Sequence, residues 1–200
     1  VVIAPLQSCD PDDGDDCDTG IVAYKPNIYI YPEEQIELSV NINFPMGGEI
    51  IASIPEYGTG WNVTVDPDGT IDNTYSYLFY ESKQPNVWQR NNGWSIETDK
   101  LESFFTENMT DYGFNDSEIK DFIEYWIPRL NTYPAYSIFP QTNSNIEKAI
   151  QLDFSKQPEN ILRLFYVIEG QAQIQSDLTA PSINSFNREG YVVAEWGVIL

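Results

Sequence analysis

A strict alternation of apolar and polar side chains runs through residues 36–44 and constrains the fold more than any other feature. Its apolar members are Ile36, Leu38, Val40, Ile42 and Phe44. Successive side chains of a β-strand point to opposite faces of its sheet, so this segment must bury one face and leave the other in water. One-sided strands of this kind are typical of antiparallel sheets. The pattern excludes an all-helical chain and predicts a sheet that covers a core.

Similar patterns continue along most of the chain. We predict further strands at residues 24–31, 49–54, 61–65, 75–79, 135–139, 149–154, 161–168 and 191–200. Residues 162–168 are the most apolar of these, so we expect them to form a central strand.

The apolar spacing changes to that of a helix between about residues 97 and 130. Thr98 is positioned to cap a first helix, and Asn115 with Glu118 forms a capping-box pattern for a second. Pro128 should end the second helix. We therefore predict a mainly β (α+β) fold: an antiparallel β-sandwich with a two-helix insert and an extended N-terminal arm.

The chain of 200 residues suits a single domain. We divide it into residues 1–20, an apolar arm followed by an Asp-rich clip, and residues 21–200, one sandwich-like domain. No apolar stretch approaches the length of a membrane-spanning helix, so we predict no transmembrane segment.

The balance of charges excludes several classes of function. A formal net charge of −21 repels nucleic acid and anionic lipid, so we expect neither as a partner. Histidine is absent, which removes the usual general base and the commonest metal ligand. Two cysteines are too few for a four-cysteine zinc site. We predict no catalytic residues and no enzymatic activity.

The first six residues are apolar and need a surface that buries them. They are Val1, Val2, Ile3, Ala4, Pro5 and Leu6. Three interpretations stay open: an edge strand on the chain's own domain, a donor strand that completes a sheet in a neighbouring copy, or the end of a signal sequence. The third rests on residues 6–9, which resemble a lipobox. We favour the donor strand, which would build a head-to-tail homopolymer.

The clip that follows combines two cysteines with six aspartates. A disulfide between Cys9 and Cys17 would stabilise the fold by roughly 2.5 kcal/mol and indicates an oxidising compartment. Carboxylates at this density are candidate calcium ligands, and a solvated acidic linker is the alternative. The candidate ligands are Asp10, Asp12, Asp13, Asp15, Asp16 and Asp18.

Other candidate sites are weaker. Three glycosylation sequons begin at Asn62, Asn108 and Asn115. Glu81 and Glu195 each end an aromatic strand and are the acid pair that a glycosidase would require, although a role as polar strand ends is the simpler interpretation. Further carboxylates considered for such a pair are Glu33, Glu34, Asp66 and Asp68.

Aromatic residues are plentiful, with five Trp, thirteen Tyr and ten Phe. Trp126 lies on the apolar side of the second predicted helix and should pack in the core. Trp88 and Trp94 lie in a polar loop, so we expect them to be exposed. Exposed aromatic rings can stack on sugars, which makes carbohydrate a candidate partner.

Several short segments, taken in order, resemble a family of uncharacterised bacterial secreted proteins and lipoproteins. The segments are KPNIYIYPE at residues 25–33, GWNV at 60–63, PDGT at 67–70, YLFYE at 77–81, FIEYWIP at 122–128 and GYVVAEWG at 190–197. The resemblance implies an exported bacterial protein. It brings no activity and no site residues.

These observations lead to one functional expectation and one alternative. The first is a non-enzymatic extracellular protein, a subunit of a surface filament assembled by donor-strand exchange of the arm. The alternative is a monomeric secreted module that binds carbohydrate or is stabilised by calcium.

Overall fold

The predicted strands form two sheets that face each other across an apolar core. The computed structural model describes residues 20–200. The arm, the two cysteines and the six candidate calcium ligands therefore lie outside the described residues, and their predictions stay predictions.

Within residues 20–200, ten strands are present. They are β1 (Ile21–Tyr31), β2 (Ile36–Asn43), β3 (Glu49–Ile54), β4 (Trp61–Val65), β5 (Leu78–Gln84), β6 (Trp94–Glu97), β7 (Ala135–Thr142), β8 (Gln151–Phe154), β9 (Asn160–Gln171) and β10 (Val192–Ile199). The large sheet has the order β3-β5-β1-β10-β9-β7-β6, and the small sheet has the order β4-β2-β8. Neighbouring strands are antiparallel except β9 and β10, which are parallel.

Two helices cover the opposite face of the large sheet. A 3-10 turn at Thr98–Lys100 leads into α1 (Leu101–Tyr112), which is followed by α2 (Asp116–Trp126). A short helix α3 (Asn143–Ala149) follows β7. The small sheet, the large sheet and the pair α1–α2 thus form three layers with an apolar core on each side of the large sheet. The predicted mainly β sandwich with its two-helix insert is confirmed.

The middle of the large sheet is buried on both faces. Every residue of β10 is buried, and so are residues 162–168 of β9. A strand covered on both faces is apolar at nearly every position, which explains why residues 162–168 do not alternate. The exception is Arg163, whose buried charge is paired with Glu195 of β10. Their predicted central place is confirmed.

Some element boundaries differ from the predictions. Thr98 begins the 3-10 turn and makes no side-chain cap; its hydroxyl donates to the carbonyl of Tyr133. Residues 149–154 were predicted as one strand, but Ala149 ends α3 and the strand begins at Gln151. The capping box of α2 is present in full, with Asn115 and Glu118 each accepting from the other's backbone N–H.

No described helix is long and apolar enough to cross a bilayer.

Candidate ligand-binding cleft

A one-residue bulge interrupts β1 at Lys25. Tyr24 pairs with Val198 and Asn27 with Trp196, so three steps along β1 oppose two along β10. The pairing of β1 with β5 shows the same extra residue. Lys25 has φ +53°, in the left-handed region that a non-glycine residue adopts at a cost of about 1–3 kcal/mol. Pro26 follows and has no N–H to donate to a neighbouring strand.

The bulge determines which way the side chains of β1 point. Ala23 and Ile28 are five positions apart, yet both belong to the core between the two sheets, whereas Tyr24 and Tyr29 pack on the helical side. Regular alternation would place Ala23 and Ile28 on opposite faces. The extra residue corrects this parity and directs the Lys25 side chain towards the helical face, which is a common use of bulges near functional sites.

The Lys25 ammonium group lies in a cage of three aromatic rings. Its Nζ is 4.9 Å from the ring centroid of Tyr77, 4.8 Å from that of Phe79 and 5.1 Å from that of Tyr125. Burial lowers the pKa of Lys25 because it removes water from the charged form, while the negative charges of Asp121 and Glu81 oppose this effect. The rings replace part of the lost hydration through cation–π attraction.

A chain of hydrogen bonds runs from Lys25 to α2. Lys25 Nζ donates to Asn27 Oδ1 over 3.4 Å, and Asn27 Nδ2 donates to the Tyr29 hydroxyl over 3.4 Å. The Tyr29 hydroxyl donates to Asp121 Oδ2 over 2.9 Å. Asp121 and Tyr125 are one helical turn apart, so α2 presents both to the same side. Burial raises the pKa of Tyr29 strongly, and the nearby Asp121 carboxylate adds to the rise.

Around these groups lies an open depression with two lobes, which we call the tyrosine cleft. The aromatic lobe has a volume of about 390 Å³ and is lined by Lys25, Ile54, Tyr75, Tyr77, Phe79 and Tyr125. The polar lobe has a volume of about 290 Å³, and its lining includes Tyr29, Tyr31, Asp68, Ser117, Lys120 and Asp121. Ser76 lines both lobes, so the two lobes adjoin each other. The volume and the mixture of rings and polar groups suit a small polar ligand.

Four of the segments singled out in the sequence meet at this cleft. Residues 25–33, 67–70, 77–81 and 122–128 all contribute to its lining. No pattern in the sequence assigns a role to Lys25, Asn27 or Asp121. The one local signal was the Lys25-Pro26 interruption of an otherwise regular strand, which is a common sign of a bulge.

The proposed acid pair does not form a site. Glu195 is fully buried between the two sheets, where it pairs with Arg163 and accepts a hydrogen bond from Tyr80. Glu81 follows Tyr80 along β5, so its side chain points to the other face of the large sheet. The two carboxyl groups are separated by the sheet, which leaves no space in which both could contact one sugar bond. Asp68 caps its own turn by accepting from the Thr70 N–H, and Asp66 accepts from Gln35.

The expected exposure of two tryptophans needs correction. Trp88 is only 5% exposed because its polar loop folds back and its ring packs against Phe165, at 6.0 Å between centroids. Trp94 is half-buried against Phe104, at 5.4 Å. Neither is an open sugar platform. Trp126 is buried, as predicted.

The three sequons lie in different environments. Asn62 is exposed on β4 and accepts a hydrogen bond from Ser39. Asn108 is buried in α1 and accepts from the Tyr166 hydroxyl, so a glycan cannot be attached to it in the folded chain. Asn115 caps α2, and its side chain is already bonded.

Among residues 20–200, no group of three or more acidic, histidine or cysteine side chains is arranged to hold a metal ion. Two further depressions, of about 400 and 370 Å³, are lined mostly by polar residues. We take the tyrosine cleft as the candidate site because it combines aromatic rings with a half-buried cation. Comparisons of this chain with protein-family models, with curated proteins and with solved structures found no match.

Proposed function

We propose that this chain is a secreted, non-enzymatic surface protein that binds carbohydrate in the tyrosine cleft. The observation that carries the proposal is the aromatic lobe, in which Tyr75, Tyr77 and Tyr125 stand beside an open cavity next to a polar lobe. Aromatic faces suit the C–H faces of a sugar ring, and side-chain oxygens suit its hydroxyls. The carboxyl groups of Glu195 and Glu81 lie on opposite faces of the large sheet, which supports sugar binding rather than cleavage of a glycosidic bond.

Removing one ring of the lobe should weaken sugar binding. Tyr75→Ala deletes a half-buried ring that lines the aromatic lobe and should lower the affinity for a bound oligosaccharide about tenfold. The measurement is a screen of the parent on an immobilised glycan panel, followed by calorimetry with the strongest ligand.

Tyr133→Ala is the matched control, because Tyr133 is 48% exposed and lies outside both lobes. It should bind like the parent. Equal affinities of the parent and Tyr75→Ala would contradict the placement of the site, and the absence of any glycan binding would contradict the function.

A second candidate is assembly through the edge of the large sheet. β3 is the terminal strand of that sheet, and Ile51 and Ile54 are 49% and 55% exposed on it, with Met46 54% exposed just before it. An edge strand with apolar side chains is a template for an added strand. This observation favours strand addition by the apolar arm of another copy, as expected from the sequence. Light scattering on the full chain tests it, since a polymer is far larger than 22.9 kDa.

A further inference from the structure

The Lys25 ammonium is a half-buried cation without a carboxylate partner. Within residues 20–200, ion pairs join carboxylates to Arg90, Lys100, Lys120, Arg163 and Arg188, and Lys25 is in none of them. Its two hydrogen bonds, to Asn27 Oδ1 and to the Tyr77 hydroxyl, are long at 3.4 and 3.3 Å and both go to neutral groups. An ammonium group has three N–H donors, so one donor remains for a group that enters the cleft.

The backbone is distorted at the residue that carries this charge. A positive φ at a lysine, followed by proline and placed inside a bulge, is unfavourable. Packing against Tyr77, Phe79 and Tyr125 does not require a charge, because a neutral side chain would fill the same space without losing hydration. The local structure thus keeps a cation in the lining of the aromatic lobe although this lowers the stability of the fold. Strain of this kind is typical of functional sites.

The surrounding charges limit which anion can bind there. Asp121 and Glu81 lie close enough to influence Lys25, and Asp68 lines the adjoining lobe. Two other cations lie nearby but are already engaged: Arg129 stacks on the Tyr125 ring and donates to the Tyr125 carbonyl, and Lys120 pairs with Glu124. The Lys25 ammonium is therefore the cation left to balance a ligand's charge, and it can balance one negative charge but not two. The net charge of −21 also repels polyanions at long range. A single carboxylate on an otherwise neutral ligand fits these limits better than a phosphate monoester, which carries a charge of about −1.5 to −2 at pH 7.

We propose that Lys25 Nζ binds the carboxylate of an acidic sugar, so that the tyrosine cleft selects a saccharide with one uronic acid residue over its neutral counterpart. This inference rests on the proposed carbohydrate-binding function. A charge-assisted hydrogen bond to the carboxylate supplies the selectivity, while the rings of the aromatic lobe contact the sugar face.

The test compares matched disaccharides: aldobiouronic acids, which carry one carboxylate, and the same disaccharides after chemical reduction of the carboxyl to a primary alcohol. Calorimetry should show that the parent binds the acidic member about tenfold or more tightly than the reduced member. Lys25→Gln and Lys25→Met should lose this preference and bind the two members with equal affinity, because neither variant carries the ammonium group. Lys25→Met retains the side-chain stem in the cage, and circular dichroism confirms that each variant is folded.

Lys148→Gln is the control, because Lys148 is an exposed lysine of α3 that lies outside both lobes. It should keep the preference for the acidic member. Equal binding of both disaccharides by the parent, or a preference that persists in both Lys25 variants, overturns the inference and leaves carbohydrate binding standing. Failure of every disaccharide, acidic or reduced, to bind overturns both.

Discussion

At the scale of single residues, a pair of opposite charges is buried between the two sheets, and neither charge can be buried stably without the other. Arg163 Nε lies 2.5 Å from Glu195 Oε2, and the two side chains are 1% and 0% exposed. Tyr80 donates to Glu195 Oε1 over 2.8 Å, and Arg163 Nη1 donates to the Ile150 carbonyl over 2.8 Å. Burial raises the pKa of Tyr80 well above its usual value, and the Glu195 charge adds to the rise. Each charge is tolerated here because the other is present.

Replacing one partner of this pair should destabilise the fold far more than replacing both partners. Glu195→Leu leaves the Arg163 guanidinium buried without a counter-charge and should lower the free energy of unfolding by about 3–5 kcal/mol. The double variant Arg163→Met/Glu195→Leu should recover most of that loss, since two apolar side chains can pack in the same space. Urea unfolding followed by tryptophan fluorescence measures both.

Glu169→Leu is the matched control, because it breaks the partly exposed pair with Arg90 and should cost only about 0–1 kcal/mol. A double variant no more stable than Glu195→Leu alone would contradict the coupling of the pair.

At the scale of elements, the two edges of the large sheet differ. β6 is a short edge strand of four residues, which leaves little backbone for another chain to pair with. β3 is longer, with six residues, and its pairing with β5 is irregular near Ile51. A bulge at this place protects the edge only in part against pairing with another strand. The apolar exposure at Ile51 makes β3 the edge at which strand addition is expected.

A charge placed on β3 should prevent assembly. Ile51→Lys puts a cation on the exposed edge, where an added apolar strand would bury it, so the particle size should fall to that of a monomer. Light scattering of the full chain across a concentration series measures this. Ile174→Lys is the matched control, because Ile174 is 42% exposed and lies outside β3. Equal particle sizes for the parent and Ile51→Lys would contradict assembly through this edge.

At the scale of the whole molecule, many tyrosines are buried as neutral phenols. Burial raises the pKa of Tyr112 and Tyr191 to about 12, and it raises that of Tyr29, Tyr80 and Tyr166 as well. A group whose pKa is higher in the folded state stabilises the fold below its unfolded pKa, and this stabilisation is lost as the pH rises above that value. Lys25 has the opposite sign, because its pKa is lowered by folding, but it is a single group.

The fold should therefore lose stability above about pH 10, where unfolded tyrosines ionise and the buried ones do not. The near-ultraviolet absorbance of tyrosinate should rise near pH 10 for the urea-unfolded chain and at higher pH for the native chain. The urea midpoint should fall between pH 9 and pH 11. Coincident titrations of the native and unfolded chains would contradict the burial of these hydroxyls.

The class of the fold could be predicted because its signals are local. The two-residue period of residues 36–44 becomes β2, whose residues Ile36, Leu38, Val40 and Ile42 are buried as expected. The capping box at Asn115 marks the start of α2 because its two partners are three residues apart in the chain. Such patterns depend on neighbouring residues alone, so they can be recognised in the sequence without the tertiary structure.

The cleft could not be predicted because its parts meet only across the sheet and the helical layer. The Tyr29–Asp121 hydrogen bond joins residues 92 positions apart, and the Lys25–Tyr77 bond joins residues 52 apart. Trp88 shows the same limit: its polar neighbours indicate exposure, but Phe165 of a distant strand covers its ring. The sequence by itself determined the class of the fold and the place of most of its strands and helices, since these follow from short-range periodicity, but it did not indicate β6 or α3. Only the tertiary structure decided which side chains meet, because strand order and the bulge at Lys25 set the face on which each one lies.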